Sequence, residues 1–180
     1  MSSIIKLIAT PLGDDDIRNI LGSETKVIRY SELSKFNNLG ELLPNEKDYC
    51  IVLYEHEALS GHWVCLLKYN NAYEFFDAYG LKVDRELKWT DLKTRQQLNE
   101  DIPYLSNLLE KEQYIYNGFD FQDDDNKVET CGHHCCFRIF CFQNFGMDLN
   151  QYIDTMKFLK NKLQHSYDYI VAEFVYKQLR

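Results

Sequence analysis

Thr130–Cys131–Gly132–His133–His134–Cys135–Cys136–Phe137–Arg138–Ile139–Phe140 begins polar, turns through a glycine and becomes almost wholly apolar. Beyond Cys135 the apolar positions (Cys136, Ile139 and Phe140, flanked by Phe137 and Cys141) predict a buried helix that stops near Gly146. Cys131 then stands at or near the N-terminus of a central helix. Unpaired N–H groups and the positive end of the helix dipole favour thiolate over thiol at such a place. A thiolate held at a fixed helix end is what a cysteine nucleophile requires. The rest of the chain is read for a base, an orienter and an oxyanion donor to serve it.

A chain of 180 residues with 45% apolar and 14% aromatic content has enough apolar material for one domain, residues 1–180, with a sizeable core. No apolar run approaches a membrane span, and Met1-Ser2-Ser3-Ile4-Ile5-Lys6 carries no secretory h-region. Three of the six cysteines crowd into Cys131–Cys136, and Cys50, Cys65 and Cys141 lie in apolar segments, so reduced thiols fit better than a disulfide framework. The net charge of −8 argues against nucleic acid as a main partner, because phosphate binding needs a basic surface. The acidic runs Asp14–Asp16 and Asp123–Asp125 read as a helix start and a solvated loop.

Outward from the cysteine, the middle of the chain reads as strands. Tyr49–Tyr54 is a buried strand, His62–Tyr69 a second and Tyr73–Asp77 a third, with Asn70–Asn71 as the turn between the last two. Together they predict an antiparallel meander. Gln113–Tyr116 reads as a fourth strand, and Gly118–Glu129 as the polar loop that delivers the chain to Cys131. Before the meander, Asp14–Leu21 predicts a helix capped by Asp14 and stopped by Gly22; Val27–Tyr30 is extended and Ser31–Phe36 a helical turn. Asn37–Gly40, Pro44–Lys47 and Glu55–Gly61 read as loops, and Leu81–Trp89 as extended or irregular. Helices are expected over Asp91–Asn99 and from Pro103 to Glu110. After the cysteine helix, Asn150 and Ser166 can each cap a core-facing helix. Strands grouped in the middle with helices on either side give an α+β class: a central antiparallel or mixed sheet flanked by helices.

A thiol nucleophile needs a proton acceptor, and histidine is the usual one. His133 and His134 lie too close to Cys131 on one helix to face its sulfur squarely, His56 is in a loop, and His165 is in a distant linker. His62 opens a strand after Gly61, where a side chain can reach a cleft, and is the expected base. Its imidazole needs an acceptor on the other nitrogen to fix the tautomer. Asp77 ends the neighbouring strand, and a turn at Asn70–Asn71 sets residues 62 and 77 roughly opposite each other. A one-residue slip would turn one of them away. The backbone N–H groups of Cys131 and Gly132, with the side chain of Gln122 in the approach loop, are the candidate oxyanion donors.

Gly61-His62-Trp63, Phe75-Phe76-Asp77-Ala78-Tyr79-Gly80, Gln122 and Thr130-Cys131-Gly132, in that order, resemble the adenovirus maturation protease (adenain) and the related ubiquitin-like-protein proteases. Pro11–Ile17 is similar to a segment of the cysteine proteases of virophages and large DNA viruses. The resemblance implies a papain-like α+β fold of the adenain type, with Cys131 as nucleophile, His62 as base, Asp77 as orienter and Gln122 as oxyanion donor. It implies cleavage after small residues, often Gly-Gly, in a groove walled by Trp63 and passing Gly132. It implies viral capsid precursors as substrates during virion maturation, an activating peptide from a virion protein, no cofactor or metal, and a place in the virion and the host-cell cytoplasm at viral factories. Two other readings remain beside it. One is a deubiquitinase or SUMO-type protease acting on host conjugates. The other is a non-enzymatic virion module whose Cys131, His133, His134, Cys135 and Cys136 are structural.

Overall fold

The computed structural model describes residues 3–69, 72–125 and 127–180. The turn expected at Asn70–Asn71 lies outside the described residues, as do Met1 and Ser2 of the N-terminal stretch. The strands are β1 (Val27–Arg29), β2 (Tyr49–Glu57), β3 (Ser60–Tyr69), β4 (Ala72–Asp77) and β5 (Tyr114–Tyr116). β2, β3 and β4 form the antiparallel meander, while β1 joins β2 and β5 joins β4 in parallel. The result is one five-stranded mixed sheet in chain order. Alternate residues of the central strands enter two cores. Ile51, Leu53, Trp63, Cys65, Leu67 and Phe76 face one; Val52, Tyr54, Val64, Leu66, Tyr73 and Phe75 face the other. Burial on both faces is why Tyr49–Tyr54 reads as an unbroken apolar run.

The helices, in chain order, are α1 (Ser3–Ile8), α2 (Asp14–Leu21), α3 (Leu39–Leu42), α4 (Leu92–Leu98), α5 (Tyr104–Leu109), α6 (Cys131–Phe145), α7 (Leu149–Leu163) and α8 (Tyr167–Gln178). α2, α6, α7 and α8 cover the Trp63 face, with α1 against α8. α3, α5 and a 3-10 turn over Tyr30–Lys35 cover the other face. The architecture is α+β with a mixed sheet flanked by helices.

α6 runs as expected from Cys131 and stops at Gly146, whose φ of 62° is the left-handed conformation glycine takes without strain. Its depth along the sheet is set by a buried ion pair. Arg138 grips Glu74 of β4 with Nε to Oε1 and a terminal nitrogen to Oε2, both at 2.7 Å, and also donates to the Tyr69 hydroxyl. Both charges are fully buried. Such a pair is costly to break singly, about 3–5 kcal/mol, so it acts as a register pin for the helix that carries Cys131.

Several boundaries differ from expectation. Gly13, not Asp14, is the N-cap of α2, with the Asp16 carboxylate accepting from the Gly13 N–H at 3.0 Å. Asp148, not Asn150, caps α7, in a reciprocal exchange with Gln151. Asn38 caps the short α3 inside a stretch expected to be loop. β2 continues through Glu57, so the expected Glu55–Gly61 loop is a tight turn at Ala58–Leu59. Trp89 ends a 3-10 turn, Glu86–Trp89. The β3–β4 register is also corrected: Val64, not His62, lies opposite Asp77. His62 lies two residues before Val64 on β3, and because that offset is even, it keeps the same face as Asp77.

Candidate active site

The start of α6 is tied down from behind. Asp168 of α8 is buried and gathers three donors: the Thr130 hydroxyl, His134 Nε2 at 3.1 Å, and the Asp123 N–H at 3.2 Å. It joins the residue before the cysteine, the first turn of α6 and the approach loop at one point. Burial alone would raise its carboxyl pKa, but the bonds from His134, Thr130 and Asp123 hold it below the usual carboxylate range.

Cys131 is the first residue of α6 and is 4% exposed. The first bond of the helix runs from His134 N to Thr130 O, so the N–H groups of Cys131, Gly132 and His133 precede any intrahelical acceptor. The Trp63 N–H points at Cys131 Sγ (3.5 Å), and the Cys135 thiol donates to the Trp63 carbonyl (3.5 Å). The indole N–H of Trp63 donates to Leu12 O at 2.9 Å. Gly132 permits this closeness: a Cβ there would lie 3.1 Å from Trp63 Cδ1 and 3.2 Å from Leu12 Cβ. Gly61 is equally constrained, since a Cβ would fall 1.8 Å from the Tyr54 carbonyl oxygen. Trp63 is therefore largely a buried residue whose edge joins Leu12, Ser60, Gly61 and Glu129 around a cleft of about 280 Å³.

His62 Nε2 meets Asp77 Oδ1 at 2.5 Å, with both side chains buried. Asp77 also accepts from the N–H groups of Tyr79 (3.3 Å, Oδ1) and Leu81 (2.9 Å, Oδ2), and Asn117 brackets its backbone. Burial would push the His62 pKa down. The hydrogen bonds with Asp77 and Cys131, and the charges of both, hold it well above the ordinary histidine value. With Nε2 taken by Asp77, Nδ1 is the nitrogen left for the sulfur. Tyr79 stacks on the imidazole at 5.2 Å, and Trp89 stands edge-on to it at 5.2 Å.

Gln122 lies buried beside this group. Its Nε2 donates to Val128 O at 3.1 Å and to the Tyr79 hydroxyl at 3.0 Å, so both amide hydrogens are engaged. Donating to an oxyanion would mean releasing the Tyr79 bond.

Among the described residues, the metal-ligand-type atoms that converge are on His62, Asp77 and Glu86, within 4.8 Å of one another. The His62–Asp77 hydrogen bond already occupies the facing atoms of that set. The Cys131–Cys136 cluster brings no three such atoms together among the described residues. His133 is buried with neither ring nitrogen bonded among the described residues, and burial, then the neighbouring His134, lowers its pKa to about 3. Burial raises the thiols of Cys50, Cys135 and Cys136, and that of Cys141 to about 12, which keeps them neutral.

Sequence reasoning missed Leu12, Glu86, Trp89 and Asp168. Leu12 falls in the Pro11–Ile17 segment but carried no role there, Glu86 and Trp89 sit in no motif, and Asp168 lies on a helix read as ordinary packing. Its one signal is an acid among apolar neighbours (Tyr167, Ile170, Val171).

No protein-family model matches the chain. The chain belongs to the family of the uncharacterized protein V9 of the Sputnik virophage, with which it is 34% identical over 148 residues, 81% of this chain and 84% of that protein. Among solved structures, the SUMO protease Ulp1 with its catalytic cysteine oxidised to a sulfinic acid is loosely similar, with a TM-score of 0.40 and 13% identity over 98% of this chain and 83% of that one. Among the described residues no helix is long and apolar enough to cross a membrane.

Proposed function

We propose that this chain is a single-domain cysteine endopeptidase of viral origin. The observation that carries the reading is the line Asp77–His62–Cys131: a buried 2.5 Å carboxylate–imidazole bond, with the thiol of a helix-start cysteine on the other side of the ring. Cys131 Sγ, its proton held by His62, attacks a peptide carbonyl. The C–N bond breaks as the imidazolium gives its proton to the leaving amine, and an acyl-thioester remains. His62 then takes a proton from water, whose oxygen attacks the thioester and frees the acid and the thiol. Asp77 keeps the ring oriented and balances the imidazolium charge without itself taking the proton. The N–H groups of Cys131 and Gly132 face the developing oxyanion, and Gln122 joins them once Tyr79 releases it. Donors of this kind are worth about 3–4 kcal/mol each.

The tight space at Gly132, where a Cβ would press on Trp63 and Leu12, supports a preference for small residues of the Gly-Gly type beside the nucleophile. The virophage relative supports a viral origin; viral precursor proteins, capsid proteins among them, are the substrates this reading assigns, and the virion or the infected cytoplasm its place. The test is an electrophilic peptide ending in Gly-Gly, offered in competition with capsid-precursor peptides and with ubiquitin-like conjugates. The expected result is an adduct on Cys131 alone, lost in His62→Ala and displaced best by the precursor peptides. Labelling spread over several cysteines and indifferent to His62 would overturn the protease reading, and displacement by the conjugates would redirect it to a deconjugating enzyme.

A further inference from the structure

One ionisable side chain beside the site has no role in the chemistry above. Glu86 is 1% exposed, and neither carboxyl oxygen has a hydrogen-bond partner among the described residues. One of those oxygens nevertheless lies within 4.8 Å of both a His62 ring nitrogen and an Asp77 oxygen. An ionised carboxylate buried without donors is strongly disfavoured, so the neutral acid is the stable form. A neutral acid has one O–H to donate. On Asp77, Oδ1 already accepts from His62 and Tyr79, whereas among the described residues Oδ2 accepts only from Leu81. An oxygen with two lone pairs and one donor has room for a second.

We propose that Glu86 is a positioning residue of the His62–Asp77 pair: an uncharged carboxylic acid at neutral pH that shares its proton with Asp77, and that on ionising places a second negative charge beside His62. This rests on the reading of His62 as the base. The groups around Glu86 agree with it. Burial first, and then the charges of Asp77 on β4 and Asp84 on its own loop, push its pKa up to about 8; His62 on β3 and its own backbone N–H pull the other way. Tyr54 of β2 also faces it, with its own phenol raised by burial first and then by Glu86. Coupling is reciprocal. The His62 charge favours ionised Glu86, so ionised Glu86 must favour charged His62, making the imidazolium a poorer proton donor above about pH 8.

The experiment compares wild type with Glu86→Gln, which keeps the shape and an N–H donor but cannot ionise, and Glu86→Leu, which keeps only the bulk. Two signals are followed from pH 6 to 10: the rate of Cys131 alkylation by iodoacetamide, read by mass spectrometry, and the His62 ring nitrogens by NMR. In Glu86→Gln the bend near pH 8 should vanish, and His62 should lose its proton at a lower pH than in wild type. At pH 7 Glu86→Gln should react about tenfold faster than Glu86→Leu, the worth of a hydrogen bond to a charged group. If Gln and Leu variants behave alike and keep the wild-type profile, Glu86 is filler and the proposal is wrong. If Cys131 is unreactive in every variant, the protease reading fails, but the NMR titration still judges Glu86: a His62 midpoint unmoved in Glu86→Gln overturns it.

Discussion

Among the described residues two buried histidine–aspartate pairs stand near Cys131, His62–Asp77 on the sheet and His134–Asp168 between helices. His62–Asp77 closes at 2.5 Å at the end of the sheet, and His134–Asp168 at 3.1 Å between α6 and α8. All four side chains are buried. In the first pair the imidazole also meets the Cys131 thiol; in the second, Nδ1 of His134 has no hydrogen-bond partner among the described residues. Asp77 holds a ring and the loop that follows it, while Asp168 holds a ring, a threonine hydroxyl and the approach loop. A histidine beside an aspartate is thus not in itself a catalytic signature. Under the proposed function the Cys131 thiol beside the first ring makes that pair chemical, whereas the segments gathered by Asp168 make the second a structural tie.

The largest expected effect is on turnover, and it separates the pairs. Asp77→Asn should lower kcat/KM by about 10³–10⁴-fold, because the amide favours the wrong tautomer. His62→Ala should cost about 10²–10⁴-fold. Both are read on a Gly-Gly peptide alongside a thermal melt. His134→Ala should retain turnover and instead lose about 1–3 kcal/mol of stability, since buried acceptor capacity on Asp168 is left unmet. If His134→Ala abolishes turnover while its melt matches wild type, the contrast collapses and both pairs serve the chemistry.

The pairs should also part company with pH. Asp168 has a folded pKa below its unfolded value of about 3.9, so its contribution is complete above that value and fades as pH falls through the folded pKa. His62 has a folded pKa above its unfolded value of about 6.5, so its contribution is complete below that value and fades as pH rises through the folded pKa. Denaturant titrations should therefore show Asp168→Asn flattening the acid limb and His62→Ala the alkaline limb. An acid limb unchanged in Asp168→Asn would remove Asp168 as the anchor of the α6 start.

The smallest effect concerns the lid of rings over His62. Trp89 is half-exposed and touches His56, His62 and Tyr79 edge-on. Trp89→Ala should change KM or kcat by about two- to tenfold, the worth of roughly 0.5–1.5 kcal/mol for one aromatic contact. A change as large as that of His62→Ala would mean that Trp89 orders the base itself.

Local patterns were legible where burial imposed a period. The apolar run after Cys135 marked α6 and the cysteine at its start, and the strand runs marked the meander. The His62–Asp77 relation was read with the register two residues out, yet the two residues share a face because the side-chain period of a strand is two. Cap assignments slipped by one residue at Asp14 and by two at Asn150, since Gly13 beside Asp14, and Asp148 near Asn150, are equally able to cap.

By itself, the sequence determined the α6 helix with its leading cysteine, the central antiparallel strands, and one face shared by a histidine and an aspartate, because each is a short-range consequence of periodicity. Only the tertiary structure decided that Leu12 would clasp Trp63, that Asp168 would hold the start of α6, and that Glu86 would lie unpartnered beside Asp77. The first two meetings join residues 51 and 38 apart in the chain, and Glu86 meets not only Asp77 but His62 on another strand. Their polar residues obey no period, and their neighbours are chosen by how the helices and the sheet stack, not by anything encoded within a few residues of them.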